Sequence, residues 1–231
     1  MLDNSRCTIL VPVLRYCEPH TELTLRQLEA QGYRVERLFG YSQIDRARNR
    51  LASEALTKGF EELFWIDGDM AFEPQSVDRL RSHDLPLVCG LYPTKVEKKL
   101  TSQLLPGTSK ITFGRDGGLV EIRYAATGFF YTRRQVYLDV QKKLNLPTCN
   151  PKSAQPLVPF FLPIILEEGG EHHYLSEDYS FCERARQCGY RIYADTTVRL
   201  QHIGLYGYSW EDLGASVPRY PTYHLQLKTE E

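Results

Sequence analysis

The chain has no excess of either charge: 28 Lys and Arg face 29 Asp and Glu across 231 residues, a formal net charge of −1. It offers no overall field to draw in a polyanion, so nucleic acid is not an expected partner. It also lacks any C-x-x-C pair. The six cysteines (Cys7, Cys17, Cys89, Cys149, Cys182 and Cys188) are scattered, several inside apolar runs, which argues against a zinc ribbon or a disulfide framework and for reduced thiols. No apolar run is long enough for a membrane span; the longest uncharged stretch, residues 156–166, is about half a span and carries three prolines. The first residues, MLDNSRC, lack the basic start and apolar run of a signal peptide, and the expected location is cytoplasmic.

What is present is an ordinary globular composition, 42% hydrophobic and 25% charged. A chain of this length can bury roughly 70–75% of the surface its unfolded form exposes, so one domain needs no structural metal to hold a core. The 15 tyrosines suit sugar or base stacking and equally fill cores.

The first ninety residues alternate strand-like and helix-like segments. Residues 7–14 form a near-continuous apolar run, as expected of a strand buried on both faces. A helix opens at Thr21, carries Leu25 and Leu28, and stops at Gly32; residues 35–39 make a second strand. Ser42 and Asp45 have capping-box spacing, and Ile44, Ala47, Leu51 and Ala55 follow at helical intervals as far as Gly59. Residues 63–66 are a third strand, Pro74 starts a helix carrying Val77 and Leu80, and residues 85–91 are a fourth strand. Such repeated units predict an α/β fold, a mostly parallel central sheet with helices on both faces.

The second half is less regular. Residues 110–113 and 119–123 flank a Gly-rich turn and read as a hairpin; residues 126–131 read as a strand, with a helix from about Arg134. Residues 145–176, with five prolines and a Gly169-Gly170 pair, read as a long loop, a candidate lid over a site. A last helix starts near Ser176, presents Phe181, Ala185 and Cys188, and stops at Gly189; residues 191–194 and 198–203 make final strands.

Asp67-Gly68-Asp69 stands directly after the third strand, at the carboxyl end where open α/β sheets bind ligands. Alternation would project both aspartates the same way, offering hard oxygens to a divalent cation and a diphosphate, although the pattern is also common in plain loops. A dehalogenase-type phosphatase would want the pair after the first strand and a Thr where Ala71 stands. A nucleotidyltransferase making sugar nucleotides would want a G-x-G-T-R-L signature near the N-terminus, which is missing.

Asp45, Arg48 and Asn49 share one helix face opposite Ile44, Ala47 and Leu51. That face is either solvated, with Asp45 completing the cap, or a phosphate- or base-binding edge near the helix N-terminus. Glu177-Asp178 opens the last helix, where the dipole favours a carboxylate without any function and lowers its pKa. His202 follows a strand; it is either structural or a third ligand for Mn2+ beside two carboxylates. His172 and His173 have no evident partner.

Taken in order, IDRARNR, LFWIDGDM, YAATGFFYTRRQVY and LSEDYSFCERARQCGYRIYADTTVRLQHIG resemble the glycosyltransferases of the GT-A fold, most nearly bacterial family-2-like enzymes and more loosely the fungal mannan polymerase subunits. The resemblance covers about residues 8–204; the tail 205–231 and the 145–175 loop match nothing. It implies a single GT-A, Rossmann-like domain over residues 1–231 with a smaller antiparallel part. It also implies a metal-dependent enzyme that moves a sugar from a nucleotide-diphosphate donor to a hydroxyl of a glycan or other acceptor, with Mn2+ or Mg2+ as cofactor.

Carried onto this chain, the resemblance has Pro12 and Val13 cradle the base and ribose, while Asp45, Arg48 and Gly68 help hold the donor. Asp67 and Asp69 are the D-x-D motif, Asp69 as direct metal ligand and Asp67 nearer the ribose or a metal-bound water; His202 is the third ligand. Asp178 matches the catalytic base of inverting members. The Q-x-x-R-W motif of processive synthases is missing, Arg184 being a weak echo of it, so polymer synthesis is not expected. A retaining glycosyltransferase and a non-catalytic nucleotide-sugar or glycan-binding domain of the same fold stand as alternatives.

Overall fold

Successive side chains along a strand point to opposite faces, so strands apolar throughout must feed two cores at once. The computed structural model, which describes residues 2–213, is built this way. The amino-terminal half runs β1 (Cys7–Val13), α1 (Pro19–Ala30), β2 (Arg34–Phe39), α2 (Ile44–Thr57), β3 (Glu62–Ile66), β4 (Met70–Ala71), α3 (Gln75–Ser82), β5 (Leu87–Gly90) and β6 (Gln103–Leu104). The remainder runs β7 (Leu119–Tyr124), β8 (Phe129–Arg133), α4 (Arg134–Lys143), β9 (Ile164–Glu168), β10 (Glu171–Leu175), α5 (Glu177–Gln187), β11 (Ile192–Asp195), β12 (Gln201–Ile203) and β13 (Gly207–Tyr208).

Eight strands form the central sheet in the order β2-β1-β3-β8-β5-β11-β7-β6, and only β8 and β7 run against the rest. Ile9, Val11, Phe64 and Val88 face Leu25 and Leu28 of α1 and Val77 and Leu80 of α3. Leu10, Leu63, Trp65 and Cys89 face the other way, onto Leu51 and Ala55 of α2, Tyr137 of α4 and Phe181 of α5. The α/β fold with a mostly parallel sheet, helices on both faces and a smaller antiparallel part is therefore the one expected. A three-stranded sheet, β13-β12-β4, and a separate β9-β10 hairpin supply the antiparallel part. Among the described residues no helix is long and apolar enough to cross a membrane.

Several local expectations are corrected. Helix α2 begins after Gln43 with no side-chain cap, so Ser42 and Asp45 do not form a capping box. The hairpin expected over 110–123 is absent: β7 pairs with β11 and with the two-residue β6. Residues 145–176 are not an open loop. Val158, Phe160 and Phe161 are core residues, docked where Ser53 Oγ accepts the Val158 N–H (2.9 Å) and Asn49 Oδ1 accepts the Phe161 N–H (2.7 Å). Beyond them β9 and β10 pair around Gly169 and Gly170, whose φ angles of +63° and +82° are those a two-residue type I′ turn demands. The strand expected over 126–131 lies at Phe129–Arg133, and that over 198–203 shrinks to Gln201–Ile203. Of the tail expected from 205, residues 214–231 lie outside the described residues, while Gly207–Tyr208 pairs with β12.

Candidate donor and metal site

Parallel strands that share a direction deliver their carboxyl ends to one edge, and loops there converge. The ends of β1 and β3 do so here, opening a cleft of about 450 Å³ lined by Pro12, Val13, Asp67, Gly68 and Asp69, together with Leu14, Arg15, Tyr16, Glu18, Ile44 and Lys95. Five of the expected donor and metal residues thus share one concavity. Asp45 is not part of its wall; its neighbour Ile44, 39% exposed, takes that place.

The 67–69 segment turns instead of continuing the strand, so the two aspartates find separate partners and do not project alike. Three other segments clamp it: Asp67 N–H donates to Gly128 O (3.0 Å), Glu18 N–H to Gly68 O (2.6 Å) and Ile203 N–H to Asp69 O (2.8 Å). Asp67 Oδ1 accepts from Arg48 Nη2 at 2.8 Å. Arg48 is only 3% exposed and packs over Trp65, so the solvated-face reading of its helix fails: Arg48 and Asn49 are buried along with Ala47 and Leu51. Its Nε lies 3.5 Å from Glu177 Oε1, and Nε and Nη1 have no hydrogen-bond partner among the described residues. Burial opposes the guanidinium charge, but Asp67 and Glu177 outweigh it and hold the group firmly protonated. Arg48 thus joins the D-x-D turn to the first turn of α5 and orients Asp67 from behind the cleft.

Asp178 sits in that first turn. Its Oδ1 accepts from Tyr179 N–H (2.8 Å) and from Ser176 Oγ. The helix dipole was expected to lower its pKa; instead burial, reinforced by the neighbouring Glu177 charge, raises it to about 6 against the pull of Ser176 and Arg48. A carboxyl tuned upward in this way is a better proton acceptor once ionised.

His202 reaches the site because β12 pairs with β4, setting His202 opposite Met70, one residue past Asp69. Its Nδ1 is 3.0 Å from Pro93 O, an atom that can only accept, so Nδ1 carries a proton and donates there, and Nε2 is the nitrogen turned toward Asp69. Nε2 lies 3.5 Å from Asp69 Oδ2, and the ring meets Tyr92 edge to face. Burial pushes the Asp69 carboxyl up, but His202 and Lys95 more than offset this and hold it down to about 2. The pair is a fitting start for a hard or borderline divalent cation, one carboxylate and one oriented imidazole. Asp67 is committed to Arg48, and no group of three or more His, Cys, Asp and Glu side chains comes together in ligating geometry among the described residues.

Lys95, whose Nζ stands 2.5 Å from Asp69 Oδ2, was not anticipated, since nothing in KVEKK marks one lysine for a contact 26 residues away. Leu14, Arg15 and Tyr16 were missed too, although their place directly after the first strand was a usable signal.

No family model matches the sequence, and no curated protein matches it. Among solved structures the chain is similar to the crystal structure of A197 from STIV, at 16% identity and a TM-score of 0.57, covering 95% of this chain and 100% of that one; at that identity the likeness shows a shared fold. Looser overlaps, too weak to argue from, are with a glycosyltransferase involved in the glycosylation of the major capsid of PBCV-1 (11% identity, TM-score 0.33, 60% of this chain and 64% of that) and the inositol-1-phosphate CTP transferase from T. maritima (15%, 0.36, 92% and 74%).

Proposed function

We propose that the protein is a glycosyltransferase that takes a sugar from a nucleotide-diphosphate donor and passes it, with inversion, to a hydroxyl of a glycan or other acceptor. The observation that carries the reading is the convergence of Pro12, Val13, Asp67, Gly68 and Asp69 on one cleft, with Glu177, next to Asp178, tied to Asp67 through Arg48. Pro12 and Val13 offer an apolar edge to the nucleoside, and the exposed Tyr16 ring beside them gives a base a surface to lie on.

Asp69 and His202 would hold Mn2+ or Mg2+, leaving the other coordination positions to the diphosphate and water. When bound, the cation neutralises the diphosphate as it leaves. The chain supplies the rest. Arg48 fixes Asp67 at the rim through its bond to Oδ1, and Asp178 accepts the proton of the attacking hydroxyl at one of its carboxylate oxygens. Its pKa near 6 leaves it mostly ionised at pH 7 while keeping it basic enough to act.

Incubation with a panel of nucleotide sugars, reading release of nucleoside diphosphate with and without chelator, tests the reading. Metal-dependent release from at least one donor, lost in Asp69→Asn, supports it. Tight donor binding with no release under any condition would instead identify a binding domain of the same fold.

A further inference from the structure

The one cationic side chain in the cleft wall besides Arg15 is already attached to the carboxylate proposed to hold the metal. Lys95 Nζ lies 2.5 Å from Asp69 Oδ2, and that same oxygen is the one 3.5 Å from His202 Nε2. An ammonium group and a divalent cation on the same oxygen repel each other, so the arrival of the cation weakens the hold of the ammonium. The ion pair is about one-third open to water, with side-chain exposures of 31% for Lys95 and 35% for Asp69, so it is weak enough to exchange.

The surrounding chain allows the exchange. Lys95 rides a short loop whose base is the Pro93–Leu100 bridge, closed by Thr94 N–H to Lys99 O at 2.7 Å. Val96 at its tip is 91% exposed. The base of the loop is also what orients the imidazole, since Pro93 O accepts from His202 Nδ1. Nζ can therefore swing at the end of its four-carbon stem while the metal-facing nitrogen stays in place. The stem itself lies over Gly204, where a β-carbon would stand 3.0 Å from Lys95 Cδ; the missing side chain there is what admits it.

We infer that Lys95 is an exchangeable counter-ion, holding Asp69 while the cleft is free and moving onto the donor's diphosphate when the divalent cation takes its place. This rests on the nucleotide-diphosphate reading of the cleft. It makes cation and diphosphate binding mutually favourable: the cation alone must evict an ammonium group, whereas with the diphosphate present that group gains a new partner. The cleft then assembles only with its donor.

The test is calorimetric titration of the full chain with Mn2+ alone, and with UDP, GDP, ADP and CDP in turn at saturating Mn2+, for wild type, Lys95→Met and Lys95→Arg. Lys95→Met is expected to bind Mn2+ alone about two- to fivefold more tightly, the worth of an exposed ion pair. It should bind the preferred nucleoside diphosphate about tenfold or more weakly, the worth of a charge-assisted hydrogen bond. Lys95→Arg should keep the wild-type sign in both arms. If Lys95→Met moves both affinities in the same direction, or neither, Lys95 is not a counter-ion and the inference is overturned while the nucleotide reading stands. If wild type binds none of the four diphosphates in Mn2+, both fall together.

Discussion

Replacing Asp178 by Asn should stabilise the protein at neutral pH while disabling it. In the folded chain the carboxyl titrates near 6 instead of 3.8, because burial and then Glu177 oppose its charge more than Ser176 and Arg48 support it. A gap of that size corresponds to about 3 kcal/mol at most, and partial access of water makes about 1–2 kcal/mol a better expectation. The sign follows from linkage. The folded state holds this proton more tightly than the unfolded chain, so its contribution is fully present below about 3.8 and is lost as pH rises through about 6. At pH 7.5 the ionised side chain is a net cost to folding, which Asn removes while keeping an oxygen for the Ser176 and Tyr179 donors. For a chain of this size 1 kcal/mol moves Tm by about 2–4 °C. Asp178→Asn should therefore melt roughly 2–8 °C higher at pH 7.5 and within about 1 °C of wild type near pH 4. In the same variant turnover should fall by roughly 10²–10⁴ with donor affinity nearly unchanged, and in wild type kcat/KM should climb with pH through about 6. Calorimetric melts at the two pH values and a rate–pH profile read all of this. A variant that melts lower at pH 7.5 would refute the desolvated carboxylate, and one within a few fold of wild-type turnover would remove Asp178 from the chemistry.

Arg48→Met, which fills the same space without the charge, should lose about 3–5 kcal/mol in urea unfolding because it strands Asp67 and Glu177; a loss under about 1 kcal/mol would mean the carboxylates do not need it. Gly128→Ala places a β-carbon 2.2 Å from Tyr92 Oη and 3.2 Å from Asp67 Oδ2. Tyr92 is buried and holds Gly128 N–H at 2.9 Å, so this overpacking should cost about 1–3 kcal/mol in the same assay, and an unchanged midpoint would contradict the packing described. Proton NMR of the first-formed product should show the anomeric configuration inverted relative to the donor; a retained anomer would leave Asp178 without the role of base.

The elements legible in the sequence were those whose own residues carry the period. β1 and β3 announce themselves as apolar runs, and α5 as a helix bounded by Ser176 and Gly189, so the D-x-D turn and the Glu177-Asp178 turn were placed on the right elements. The β9-β10 hairpin was missed because it is mostly polar, with Glu167, Glu168, Glu171, His172 and His173 hiding any alternation. Its Gly169-Gly170 pair fits a tight turn and a loose loop equally well by sequence alone. The partner of β7 was out of reach, since β6 is two residues long and lies across an irregular register. In the site, residue identities could be read but environments could not. The dipole of α5 follows from sequence position, whereas the burial that reverses its effect on Asp178 depends on what packs there. For Arg48 the sequence leaves a solvated face and a phosphate-binding edge both open, and neither contains the burial against Trp65 and the bond to Asp67.

On the proposed function, a nucleoside diphosphate and a divalent cation meet at Asp69. A crystal structure of the chain grown with Mn2+ and the preferred nucleoside diphosphate, with data collected at the manganese absorption edge, addresses it directly. An anomalous peak is expected within bonding distance of Asp69 and His202 Nε2, with the diphosphate on its far side and the nucleoside against Pro12 and Val13. Nucleotide bound in the cleft with no such peak, or nucleotide bound anywhere else on the molecule, would contradict it.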